Sequence, residues 1–265
     1  GNDLCFTCHK DMAKNVSAAK FRHPPVGKTC LTCHDPHAGE KTNALLAKGV
    51  PALCVECHRT DQPAFQKAHM NYPVARADCT SCHDPHGSDQ PSILWASVHP
   101  PVRNKMCAQC HNEAASADAL RTKKAGATVC KACHSDMVNE TENMNRIHWP
   151  VVDRTACLNC HSPHAAKVSK LLAADQKQLC GRCHPDAVAR QDRSETKHPP
   201  INDGDCTSCH RPHSSNTLFL LDGPNVLEVC GKCHDWGKHT THPLGTKVAD
   251  PYRWLENSDT PDARP

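Results

Sequence analysis

The 265-residue sequence is poor in the side chains that usually build a protein interior. Aromatic residues make up 4% of it, as 4 Phe, 4 Trp and 2 Tyr. The hydrophobic share of 38% counts all 20 cysteines and so overstates the apolar bulk. A chain with so few large apolar side chains struggles to offset the entropy lost on ordering. Something other than side chains must fill its interior. Long apolar runs are lacking as well, and no stretch approaches the roughly 20 residues of a membrane-spanning helix. No secretory leader pattern is visible, which leads us to expect a mature chain. Lysines and arginines are scattered and the net charge is only +3, so a nucleic-acid-binding signature is absent. No alternation lasts long enough to mark a strand, and 21 prolines interrupt most helical stretches.

What is abundant is cysteine, 20 residues, and histidine, 21. Every cysteine falls in the pattern Cys-x-x-Cys-His. The pairs are Cys5 and Cys8, Cys30 and Cys33, Cys54 and Cys57, Cys79 and Cys82, Cys107 and Cys110, Cys130 and Cys133, Cys157 and Cys160, Cys180 and Cys183, Cys206 and Cys209, and Cys230 and Cys233. Ten copies use the whole inventory and leave none over. Two thiols at this spacing can each bond one vinyl group on the same porphyrin edge, and the next residue sets an imidazole under the iron. The expected cofactor is therefore haem c, ten per chain, covalently attached. Structural zinc also uses Cys-x-x-Cys but gives no reason for a histidine after every second cysteine. A disulfide framework leaves the histidines unexplained too. A thioredoxin-like redox motif occurs once, beside a βαβ pattern that is missing here.

The proximal iron ligands are then His9, His34, His58, His83, His111, His134, His161, His184, His210 and His234. Eleven histidines remain as candidates for the sixth position: His23, His37, His69, His86, His99, His148, His164, His198, His213, His239 and His242. Their placement repeats. His37, His86, His164 and His213 lie in Cys-His-x-Pro-His, and His23, His69, His99, His148 and His198 precede a motif, usually with proline following. A histidine three residues after a proximal one cannot swing to the far face of the same haem. His37, His86, His164 and His213 are therefore expected to ligate neighbouring haems. One of His239 and His242 is the expected spare. The five methionines, Met12, Met70, Met106, Met137 and Met144, share no repeated context, so bis-histidine iron of low potential is expected.

Proximal histidines follow one another at 23 to 28 residues, too short for a domain around each haem. The expected fold is mostly coil with short α-helices and little or no β, its core formed by ten closely packed haems. Each motif is expected on a short helix, with longer helices over 114–124 and 167–179. A longer period is also visible. His9, His34, His58, His83 and His111 map onto His134, His161, His184, His210 and His234 at offsets of 123 to 127. This divides the chain into pentahaem modules at 1–121 and 122–242, followed by a tail at 243–265 that contains Tyr252, Trp254 and Leu255.

The repeated run Cys30-Leu31-Thr32-Cys33-His34-Asp35-Pro36-His37, matched by Cys79-Thr80-Ser81-Cys82-His83-Asp84-Pro85-His86, resembles the doubled-CxxCH multihaem c-type cytochromes. The five-plus-five layout is similar to the periplasmic decahaem cytochromes that thread an outer-membrane porin. That resemblance implies electron transfer, not catalysis. It implies an exported protein of the periplasm, outer membrane or exterior, in keeping with the cysteine content. The implied partners are other redox proteins and an outer-membrane β-barrel porin, with no nucleic acid; a second version of the wire stacks identical subunits end to end as an extracellular filament. A reductase would need a haem with a vacant position, yet all ten motifs end in histidine.

Haem loading should also reverse the charge. Ten haems bring propionates that outweigh the polypeptide's +3 and leave about −7 once ferric irons are counted. The holoprotein is expected to bind an anion exchanger at pH 7, although the polypeptide alone has a pI near 8.1.

Overall fold

The structure is a computed structural model that describes residues 1–39 and 44–235. His239, His242 and the tail lie outside the described residues. Backbone packing divides the chain into two compact units. The first joins Gly1–Val129 with Cys160–Asp175, and the second joins Cys130–Asn159 with the chain from Gln176 on. Helices are short throughout. Among the described residues the longest, Lys10–Ala18 and Pro185–Arg193, have 9 residues. The multihaem pattern of small helices and little sheet is what the cysteine spacing leads one to expect.

The Cys-x-x-Cys-His motifs are of two kinds. Five begin in 3-10 turns: Cys30–Thr32, Cys79–Ser81, Cys107–Gln109, Ala156–Asn159 and Cys206–Ser208. The other five begin in α-helices: Asp3–Cys8, Ala52–Val55, Ala127–Lys131, Gln176–Gly181 and Val226–Gly231. The two kinds share one local device. The backbone N–H of the proximal histidine closes a turn on the carbonyl of the first cysteine, as from His9 to Cys5 at 2.9 Å and from His83 to Cys79 at 3.1 Å. A spacing of four then puts the first thiol and the imidazole on one face of the turn.

Among the described residues the sheet content consists of six strands of two residues: β1 (Phe21–Arg22), β2 (Gly87–Ser88), β3 (Ser97–Val98), β4 (Arg146–Ile147), β5 (Ala165–Ala166) and β6 (Ser214–Ser215). They pair antiparallel as β1 with β2, β3 with β5, and β4 with β6. Each ladder has the same logic. One strand runs into a histidine that heads a proline turn, and the other leaves a Cys-His-x-Pro-His loop. The ladder extends through the two histidines themselves, with N–H of His99 donating to the His164 carbonyl at 3.0 Å and N–H of His148 to that of His213 at 2.9 Å. Proline then turns the chain. Pro24, Pro100 and Pro199 each open a short helix, where a missing N–H costs nothing, and hold the preceding histidine extended.

Side chains build very little core. Among the described residues the buried hydrophobic ones are Tyr72, Val98, Leu179, Val229 and four alanines. Large apolar groups lie open instead, including Leu4 at 83% and Trp149 at 69% exposure. The residues expected to form longer helices do something else. Residues 114–124 run as turns, and 167–179 hold the 3-10 turn Ser169–Leu171 before the helix Gln176–Gly181 begins. Both stretches follow a motif of the first kind. Their backbone is drawn back over the proximal histidine, through bridges from His111 to Thr122 and from His161 to Leu172.

Gly87 is the tight point of the first ladder. Its φ is 135°, and a Cβ there would lie 2.8 Å from the Phe21 carbonyl oxygen. Ala165 and Ser214 take the equivalent register in the other two ladders. Gly87→Ala is expected to destabilise the holoprotein by about 1–3 kcal/mol. Ala165→Gly should cost less than about 1 kcal/mol. Thermal unfolding followed by circular dichroism of both variants checks the contrast.

Candidate metal centres

All 20 cysteines are free of disulfides and none is buried. The second sulfur of each α-helical motif is exposed, at Cys8, Cys57, Cys133, Cys183 and Cys233. Each of these thiols is open to a group outside the polypeptide. Within each unit, thiols of successive motifs stand close enough to sense one another. Burial, with the Cys79 thiol next to it, pushes the Cys54 thiol up to about 11. Burial and then the Cys5 thiol raise Cys30, and burial and then Cys57 raise Cys33. Burial and then Cys230 raise Cys209. Thiols of these successive motifs are therefore neighbours.

The histidines are held by backbone carbonyls. In the first kind of motif the chain after the proximal histidine loops back and delivers a carbonyl to its Nδ1. The acceptors are Ala44 for His34 at 2.7 Å, Ser92 for His83 at 2.8 Å, Leu120 for His111 at 2.8 Å, Lys170 for His161 at 2.9 Å and Phe219 for His210 at 2.7 Å. The distal candidates follow the same rule. Nδ1 of His23, His99 and His148 lies 2.8 to 2.9 Å from the carbonyls of Pro85, Pro163 and Pro212, the prolines of Cys-His-x-Pro-His loops. His69 uses the carbonyl of Phe65, at 2.9 Å. His86 instead sets Nδ1 3.5 Å from Asp84 Oδ1. A carbonyl only accepts, so each Nδ1 so bonded carries the proton and each Nε2 presents its lone pair. Burial pushes the pKa of His83 and of His164 down, which keeps these rings neutral, as metal binding requires.

The rings come in facing pairs. An imidazole nitrogen lies about 2 Å from a metal it binds and about 1 Å from its own ring centre, so two imidazoles on opposite sides of one iron have centres about 6 Å apart. Pairs among the described residues show that spacing. They are His23 with His58 at 5.9 Å, His34 with His86 at 6.1 Å, His69 with His83 at 6.2 Å, His111 with His164 at 5.9 Å, His148 with His184 at 6.1 Å and His198 with His234 at 6.1 Å. Each pairs a proximal histidine with a distal candidate. No histidine of Cys-His-x-Pro-His faces the proximal histidine three residues before it, and His86 faces His34 instead.

Among the described residues, no imidazole stands at this spacing from His9, His37 or His210. His99 and His213 join the ladders described above, and His134 heads the helix Ser135–Glu142. His239 and His242 fall outside the described residues. Motif reading misses the residues that aim the rings. Ser92 and Ile93, Lys170 and Leu171, and Phe219 and Leu220 all have φ between 50° and 58° without being glycine. Left-handed backbone costs such residues roughly 1–2 kcal/mol each. It is adopted here to turn a carbonyl onto His83, His161 and His210. Only a regular distance after the motif could have pointed to them: the acceptor sits nine residues after the histidine in each case.

No curated protein matches the chain. The family model for the doubled CXXCH motif matches five segments, residues 23–63, 71–98, 99–139, 148–189 and 198–239. Four of these hold two motifs and 71–98 holds one, while Cys5–His9 stands before the first. Four begin on a ring-paired or ladder histidine that heads a proline turn, namely those starting at His23, His99, His148 and His198. Together the segments cover well over half of the sequence. The chain therefore belongs to the doubled CXXCH motif family of multihaem c-type cytochromes, which bind haem c covalently and transfer electrons.

Proposed function

We propose that the chain carries ten haems, each axially held by two histidines, and works as an exported long-range electron conduit. The observation that carries this reading is the set of imidazole pairs about 6 Å apart whose Nδ1 atoms face acceptors. When bound, haem supplies an iron that gains and loses one electron. The polypeptide does the rest. Two thiols fix each porphyrin edge, and two neutral imidazoles fill both axial positions and leave none for substrate. The scarcity of side-chain core leaves the interior to the porphyrins themselves.

The pairs follow a register. His23, His148 and His198 serve motifs of the α-helical kind 35 or 36 residues downstream, at His58, His184 and His234. His86 and His164 serve motifs of the first kind 52 or 53 residues upstream, at His34 and His111. Each such haem is clamped between distant parts of the sequence. Thiol contact between successive motifs supports a row in which neighbours touch, which is what stepwise transfer needs. No helix among the described residues is long and apolar enough to cross a membrane. A passage through an outer membrane would need a β-barrel partner. The alternative is a stack of identical subunits outside the cell. Both suit the decahaem resemblance, and other redox proteins would meet the ends of the row.

Cross-ligation is tested by His86→Ala. The haem on Cys30, Cys33 and His34 should lose its sixth ligand, adding a high-spin ferric signal and about one bound CO per chain after reduction. Removing Cys30 and Cys33 as well should abolish that signal together with one haem. A signal that survives would place His86 on another haem. The assembly is tested by electron microscopy of native protein with and without detergent. Filaments, or particles seated in a detergent-bound barrel, are the expected results. Lone particles that exchange electrons with soluble partners would replace the conduit with a periplasmic shuttle.

A further inference from the structure

Among the ring pairs described above, one differs from the other five. In the five other pairs the two imidazole planes lie within 8° to 27° of each other. The planes of His69 and His83 are 60° apart at the same centre spacing. The cause is local. His23, His99 and His148 leave an extended ladder and bond a proline carbonyl from a distant loop. His69 instead caps the helix Pro63–Ala68 and bonds the carbonyl of Phe65 within that same helix. The Phe65 ring packs on it, with centres 4.2 Å apart. The plane of His69 is thus set by its own helix turn and by Phe65, while the plane of His83 is set by the loop that brings Ser92.

Resting on the bis-histidine reading above, we infer that the haem at Cys79, Cys82 and His83 has crossed axial planes, with Phe65 as the positioning residue, and takes up an electron before the five parallel-plane haems. The argument is orbital. Imidazole donates π density into the iron d orbital perpendicular to its ring. Parallel rings load one of the two d orbitals and split the pair, which stabilises the ferric hole. Crossed rings load both and leave them nearly equal. The ferric state loses that stabilisation, so one electron passing from an external reductant to this iron finds the more favourable acceptor.

The test is electron paramagnetic resonance of the oxidised holoprotein during stepwise chemical reduction, with haem counted by absorbance. Crossed planes give a single strongly anisotropic low-spin feature at low field, whereas parallel planes give three resolved g values. We expect the former beside the latter, disappearing at the higher potential. Phe65→Ala should free the His69 ring and move about one haem per chain from the anisotropic to the resolved class at unchanged haem count. His69→Met, which changes the ligand itself, should remove the feature. An oxidised spectrum without the anisotropic feature overturns the inference. So does a feature that ignores either variant, or one that titrates below the resolved signals. A protein that holds no low-spin haem at all would overturn the bis-histidine reading instead.

Discussion

The bond from a histidine Nδ1–H to a backbone carbonyl is the interaction on which the rest depends. An imidazole has two nitrogens, and without that bond either could carry the proton. With it, the proton is committed and the opposite nitrogen faces outward as a lone pair. Nine of the described histidines are held in this way, five that end a Cys-x-x-Cys-His motif and four of the distal candidates. The carbonyl also fixes where the ring points, because the bond is directional. The tautomer of each ring is thus decided by backbone geometry.

This explains why so little regular structure is enough. A two-residue ladder would be marginal on its own. Here each ladder has one task, which is to place a distal histidine beside the proline carbonyl of another segment. The non-glycine residues with left-handed backbone after the first-kind motifs have a similar task. Strain of this sort collects where surrounding structure over-determines the chain, at functional sites above all. With buried hydrophobics reduced to a few residues and four alanines, the polypeptide has little to hold it together by itself. Covalent and axial bonds to a rigid planar group then contribute folding energy directly, as they do in small metal-bound domains.

Much of the site was legible in the residues alone. Cysteine spacing is a local property, so it points to the family and to candidate anchors and proximal ligands without any tertiary information. The expectation that His86 serves a neighbouring haem was also local, since three residues cannot span a porphyrin, and the structure sets its ring against that of His34. What the sequence left dark is the partner of each distal histidine. That depends on which segments pair in the ladders, and strands of two residues carry no periodic signal. The division of motifs into two kinds was hidden for the same reason, because Cys-x-x-Cys-His reads alike on a 3-10 turn and on an α-helix. Residues 114–124 look helical by composition, yet the demand that Leu120 reach His111 overrides propensity.

His69 carries the argument furthest. It resembles the other distal candidates in sequence, preceding a motif and followed by proline four residues on. Its surroundings differ, because the intervening Met70 and Asn71 adopt left-handed backbone and end a helix before the proline is reached. The ligand is the same imidazole, with the same centre spacing and the same Nδ1 bond to a carbonyl, and only its plane has turned. A chain built from one repeated motif has few means of making its centres unequal. On the bis-histidine reading proposed above, axial-ligand identity is unavailable as a lever, which leaves burial, hydrogen bonding and ring orientation. Orientation is the one of these that a single helix end can change without altering the ligand set, and in His69 it is the one that has changed.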